Sequence, residues 1–170
     1  MYMAIIKLFL LASTLLLFSC RNSGENNIRL PSQEYHYVAL DTAKFTVEKA
    51  IYVPIYSHIY LNTGNRAFNL TATMSIRNIS YTDSFYIKKI IYYGSKGEEL
   101  KKYIDSTLLL KPMASYEFVV EHDESKGGAG ANFVVSWAAK NNKTEPLIEA
   151  VMVGDYNGMS FITQGVEIKQ

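Results

Sequence analysis

Wherever apolar residues recur regularly in this chain they recur at every second position, and no sustained stretch carries helical apolar spacing with caps. A period of two puts alternate side chains on opposite faces of a strand, so the chain is committed to half-buried β-structure. The pattern is plainest from Ser115 to Trp137. Tyr116, Phe118 and Val120 share one face against Ser115, Glu117, Val119 and Glu121, and Phe133, Val135 and Trp137 share a face farther on. Between these strands, His122 to Ala131 is too rich in glycine and charge to belong to either. It is expected to be an exposed connection, its glycines shaping a structural hairpin.

The same alternation recurs along the chain. In Ala50 to Leu61, Ile51, Val53, Ile55, Ser57, Ile59 and Leu61 face one way, and Tyr52, Pro54, Tyr56, His58 and Tyr60 the other. Pro54 has no N–H for a ladder, so this strand belongs at a sheet edge or switches sheets at a bulge. Phe68, Leu70, Ala72, Met74 and Ile76 alternate with Asn69, Thr71, Thr73, Ser75 and Arg77, the mark of a strand wet on one side. Phe85 to Tyr93 is dense in β-branched and aromatic residues, a weaker strand follows near Leu100 to Tyr103, and Pro112 sets a turn. Leu147 to Val153 and Ser160 to Val166 flank Asn157-Gly158, a pair that favours a tight hairpin.

Strands of this length separated by turn signals predict an all-β fold, an antiparallel β-sandwich of about seven or eight strands. A closed barrel is the structural competitor. The sandwich is immunoglobulin-like in architecture alone, because no cysteine pair exists for Trp137 to pack against. It is expected to span residues 49–170, with residues 34–48 reading either as an arm or as short strands.

The N-terminus reads differently. Lys7 precedes an apolar run from Leu8 to Phe18, and Leu17, Phe18, Ser19 and Cys20 close it. Roughly twenty apolar residues are needed to cross a bilayer, so a run this short suits a signal peptide better than an anchor. The closing residues resemble a bacterial lipobox. That resemblance implies a signal peptide at residues 1–19 and a lipidated mature N-terminus at Cys20, followed by a polar tether over residues 20–33. The expected location is the bacterial cell envelope, as a membrane lipoprotein held through its lipid. Cys20 is the sole cysteine, so no internal disulfide or cysteine-based zinc site can form. With 17 basic against 16 acidic residues, no electrostatic pull toward nucleic acid is expected.

Three blocks carry a family likeness. Tyr52 to Tyr60 with Phe68 to Thr73 form the first, Glu117 to Glu121 with Gly127 to Phe133 the second, and Glu145-Pro146 with Glu149 to Met152 the third. In this order they resemble the bacterial envelope family called domain of unknown function 3124, over roughly Lys49 to Val166. The resemblance implies a small exported protein, often lipidated, and no particular reaction.

The glycine run leads into a strand rather than a helix, which argues against a phosphate cradle. His122 beside Glu121, Asp123 and Glu124 lacks metal-ligand spacing, and no metal or cofactor is expected. Ser57 and His58 are neighbours that face opposite ways, so no nucleophile and base pair is evident. A carboxylate- or metal-dependent hydrolase using Glu121, Glu149, His58, His122 or Asp123 stands as the alternative to a non-catalytic binding module. For binding, two surfaces stand out: the loop with His122, Asp123 and Lys126, and the aromatic face of Tyr52, Tyr56, His58 and Tyr60. The expected partners are the membrane, through the lipid, and an envelope protein or glycan.

Overall fold

A computed structural model describes residues 32–39, 45–155 and 158–169, and within them the chain is built from β-strands with no α-helix. The expected signal peptide, Cys20 and residues 21–31 of the expected tether lie outside the described residues, as do residues 40–44 of the arm and the Asn157 of the Asn-Gly pair. In chain order the strands are β1 (Val47–Pro54), β2 (His58–Tyr60), β3 (Ala67–Asn69), β4 (Thr71–Asn78), β5 (Phe85–Tyr93) and β6 (Glu99–Lys102). β7 (Leu108–Leu110), β8 (Ser115–Val120), β9 (Asn132–Ala139), β10 (Pro146–Val153), β11 (Ser160–Gln164) and β12 (Val166–Glu167) complete them.

Two antiparallel sheets share one apolar core. The first runs β12-β1-β9-β5-β6, with β7 also paired to β5, and the second runs β11-β10-β4-β8. Phe85, Ile87, Phe133, Val135 and Trp137 of the first sheet and Met74, Ile76, Phe118, Ala150 and Met152 of the second are all buried in that core. On the opposite face of the second sheet Glu117, Ser75, Glu149 and Gln164 stand in a row, with Ser75 itself covered by its neighbours. This is the all-β sandwich that the period of two predicts.

Strands outnumber the expectation because three alternating stretches divide, the third into β11 and β12, and because β7 forms where no strand is expected. The Ala50 to Leu61 stretch ends as β1 at Pro54 and resumes as β2, which pairs with β3 in a separate two-stranded ribbon. The Phe68 to Arg77 stretch likewise divides into β3 and β4 at Leu70, whose N–H turns aside to the Ser57 carbonyl at 2.9 Å. Pro54 ends β1 for a visible reason. The Ile55 N–H bonds the Ala131 carbonyl on the β9 side, so the nitrogen of Pro54 faces the opposite side, where β12 pairs only with Ile51 and Tyr52. No donor is missed there, and the Pro54 carbonyl accepts a bond from the Thr163 hydroxyl.

The hairpin expected around Gly158 forms, with β10 and β11 antiparallel and Val153 opposite Ser160. Beyond it the chain passes from the second sheet to the first at Gly165, where a Cβ would press on the Ile51 and Val53 methyls at 2.5 and 3.2 Å. Only a glycine lets the chain cross so close to β1.

The ambiguous arm proves to be two things. Residues 33–38 run along the rim of the sandwich, bridging Tyr37 to Leu108, and the segment from Val47 is already β1.

Candidate functional site

The His122 to Ala131 connection departs from expectation in kind. β8 belongs to the second sheet and β9 to the first, so the connection is a crossover between sheets and not a hairpin. It also divides by environment. His122, Asp123, Ser125 and Lys126 are exposed, whereas Gly127 and Ala131 are buried.

Two serines from other parts of the chain hold the buried half. The Ser57 Oγ accepts from the Gly128 N–H at 2.7 Å, and the Ser57 N–H donates to the Gly128 carbonyl at 3.1 Å. On the other side the Ser95 N–H and hydroxyl both donate to the Gly127 carbonyl at 2.8 Å, and the Ser95 Oγ accepts from the Gly130 N–H at 2.8 Å. These contacts explain the glycines. Gly128 has φ +82°, and a Cβ on it would collide with the Ser95 hydroxyl, while one on Gly127 would collide with the Tyr92 hydroxyl. The glycines thus answer to close packing as much as to turn geometry.

Tyr92 lies beneath Gly127, fully buried. Burial pushes its phenol up to about 12, the Glu124 charge adds to the rise, and the Ser57 hydroxyl opposes it. Ser57 is committed to the loop, and the Tyr92 hydroxyl has no hydrogen-bond partner among the described residues. Beside it, Tyr103 donates to the Val119 carbonyl at 2.7 Å. Burial raises this phenol too, with Tyr92, Glu124, Glu121 and Tyr35 adding to the effect. The two rings, Lys101, Glu121, Asp123 and Glu124 line a concavity of about 240 Å³ at the foot of the loop, with the Lys101 ammonium 4.4 Å above the Tyr103 ring.

Of the residues singled out in the sequence, some meet here and some do not. His58 comes to the loop: its Cε1 stands 3.9 Å from where a Gly128 Cβ would be, and its ring meets Tyr60 edge-on at 5.5 Å. Tyr60 is largely exposed. Tyr56 packs on Phe161 of β11 at 5.6 Å, and Tyr52 stays in the first sheet opposite Val134 and Val166. Because β1 stops at Pro54, these four do not form one continuous strand face. His122 points to Asp155 at 3.7 Å, an ion pair when the imidazole is protonated. The Lys126 N–H bonds the Glu124 carboxylate at 2.7 Å, which leaves its ammonium at the exposed tip.

The proposed carboxylate pair is not assembled. Glu149 sits mid-strand opposite Ser75, and Ser75 is opposite Glu117, so Glu121 lies about 13 Å farther along the strand direction. Among the described residues no group of three His, Cys, Asp or Glu side chains is placed to hold a metal ion. Sequence reasoning weighs Ser57 only as a nucleophile beside His58 and passes over Ser95, so neither is foreseen as a clamp on the loop. Ser57 carried a signal, a hydroxyl in core phase between Ile55 and Ile59, whereas Ser95 in its turn carried none.

The family described as "Protein of unknown function (DUF3124)" matches residues 48–168. No curated protein matches the chain. Among solved structures, that titled "Crystal Structure of Thermotoga maritima 1070" aligns with a TM-score of 0.39 and 9% identity, over 69% of this chain and 92% of that one. Similarity at that level transfers neither fold nor function.

Proposed function

Because the chain belongs to the DUF3124 family of unknown function, which assigns no reaction, we propose from its own residues that it is a lipid-anchored envelope protein whose sandwich is a non-catalytic binding module. The anchor is Cys20, lipidated after removal of residues 1–19, and the basis for it is the Leu8 to Phe18 run with the lipobox-like residues that close it. The recognition surface is the exposed loop tip of His122, Asp123 and Lys126, with His58 and Tyr60 beside it. One observation carries this: a polar tip rises from a base that two serines clamp to both neighbouring parts of the fold. A loop held rigidly at its foot loses little conformational entropy on binding, which is why scaffolds place recognition there. The partner is an envelope protein or glycan, met on the side of the membrane where the lipid holds the domain.

The test has two arms. Wild type and Cys20→Ala are expressed in a bacterial host and fractionated, with mass spectrometry of the mature N-terminus. Wild type is expected in membranes with a lipid-sized mass increment at Cys20, and the variant is expected in the soluble or unprocessed fraction. A processed, unlipidated and soluble wild type would overturn the anchor. In the second arm, partners cross-linked in native membranes are compared between wild type and a His122→Ala, Asp123→Ala, Lys126→Ala triple variant. Stability is expected to stay within about 0.5 kcal/mol per exposed site while partner recovery drops. Unchanged recovery would remove the loop tip from the recognition surface.

A further inference from the structure

Residues 33–38 behave less like a strand of the sandwich than like a peptide seated on it. They lie outside residues 48–168, the extent of the family match. Their backbone joins the rim of the first sheet: the Leu109 N–H donates to the His36 carbonyl at 2.9 Å, and the Val38 N–H donates to the Thr107 carbonyl at 2.9 Å. Their side chains serve the rim of the second. β8 ends that sheet, and its backbone on the unpaired side would stand open. There the Glu117 N–H donates to the Gln33 Oε1 at 3.2 Å, and the Gln33 Nε2 donates to the Glu117 carboxylate at 2.8 Å. The Tyr35 hydroxyl donates to the Glu117 carbonyl at 3.3 Å, and the His36 N–H donates to the Tyr116 hydroxyl at 3.0 Å.

The Tyr35 ring supplies the apolar contact. It stacks on Phe118 at 5.6 Å with the planes 3° apart, and meets Tyr116 edge-on at 5.2 Å. A single extended segment thereby satisfies edges of both sheets, β7 through its backbone and β8 through alternate side chains. That division of labour is how an added strand is recognised: main-chain bonds hold it, and side-chain seats at every second residue select it.

We propose that the channel between β7 and β8 is a docking groove for an extended peptide, in which residues 33–38 sit as a resident ligand. The segment it takes carries an amide side chain and, two residues later, an aromatic ring. The amide reads the Glu117 backbone and carboxylate together, and the ring fills the seat over Phe118 and Tyr116. Glu34, between the two, is exposed, so the intervening residue is the least constrained of the three. The groove is independent of the loop tip, and the resident segment guards it, since a tethered occupant acts at an effective concentration in the millimolar range. A partner peptide must therefore outcompete it.

The experiment uses the full chain with residues 40–44 replaced by a site-specific protease sequence. After cleavage, a fluorescent synthetic peptide of residues 32–39 is titrated in and followed by anisotropy, with Trp137 fluorescence reporting the fold. The cut chain is expected to keep its buried Trp137 signal and to capture the peptide saturably. Capture by uncut chain should be at least tenfold weaker, and peptides carrying Gln33→Ala or Tyr35→Ala should bind about tenfold more weakly than the parent. A folded cut chain that ignores the peptide overturns the groove. Loss of the native Trp137 signal on cutting would make the segment part of the fold, which also overturns it. Self-pairing of the cut chain that excludes the peptide would assign the rim to a second copy instead.

Discussion

At Gly127 the loop backbone passes so close to Tyr92 that an added methyl would stand 2.7 Å from the ring carbon bearing the hydroxyl, in collision with the hydroxyl itself. Overpacking of this kind against a buried ring costs about 1 to 3 kcal/mol, so Gly127→Ala is expected to lower the urea midpoint clearly. Tyr92→Phe alone behaves differently. It removes a buried hydroxyl that has no hydrogen-bond partner among the described residues, and is expected to be neutral or to stabilise by up to about 1 kcal/mol. In the double variant the collision is partly relieved, so Gly127→Ala should cost less on the Phe background than on wild type. Equal costs on the two backgrounds, measured as a double-mutant cycle, would show that the hydroxyl does not limit the approach of the loop.

Among the elements, β5 shows how a strand changes phase without leaving its sheet. Phe85 and Ile87 are in the core, then Ile90 and Tyr92, with the register against β9 slipping between Ile87 and Lys89. An extra residue at that bulge re-aims the rest of the strand, and this is what brings the Tyr92 ring beneath the glycine crossover. β9 carries the opposite lesson, an unbroken alternation from Phe133 through Trp137. Trp137 is fully buried and meets Phe85 edge-on at 5.8 Å. Trp137→Ala is expected to destabilise by about 3 to 5 kcal/mol, read from denaturant unfolding followed by far-ultraviolet circular dichroism. A loss under about 1 kcal/mol would mean the ring contributes little to the core.

For the whole molecule, three phenols raised chiefly by burial, Tyr35, Tyr92 and Tyr103, tie stability to alkaline pH. All three titrate above the ordinary value of 10 when folded, Tyr92 at about 12. Above pH 10 the unfolded chain releases these protons while the folded chain keeps them, so folding binds protons and stability falls as pH rises. Their contribution is complete below pH 10 and is lost as pH climbs through the folded values. Thermal unfolding between about pH 9 and pH 12 should show the decline, and a Tyr92→Phe, Tyr103→Phe double variant should make it shallower, the raised Tyr35 and Lys49 leaving a remainder. An equally steep decline in the double variant would place its origin in other groups.

The period of two determined by itself which side chains enter the core: Tyr116, Phe118, Val120, Phe133, Val135, Trp137, Ala72, Met74 and Ile76 were all legible and all are buried. It determined the all-β class as well, since no stretch carries helical spacing, while packing decided the sandwich over a closed barrel and raised the strands from the seven or eight expected to twelve among the described residues. What tertiary structure decided was neighbourhood. Alternation sets the face on which a side chain stands, but every backbone offers the same N–H and C=O along its edges, so nothing in the pattern says which strand lies alongside. β8 and β9 looked like hairpin partners and belong to different sheets. The serine clamp on the glycine crossover and the bridging of both rims by residues 33–38 arise from pairings between residues tens of positions apart, where the sequence carries the groups and only the packed chain brings them together.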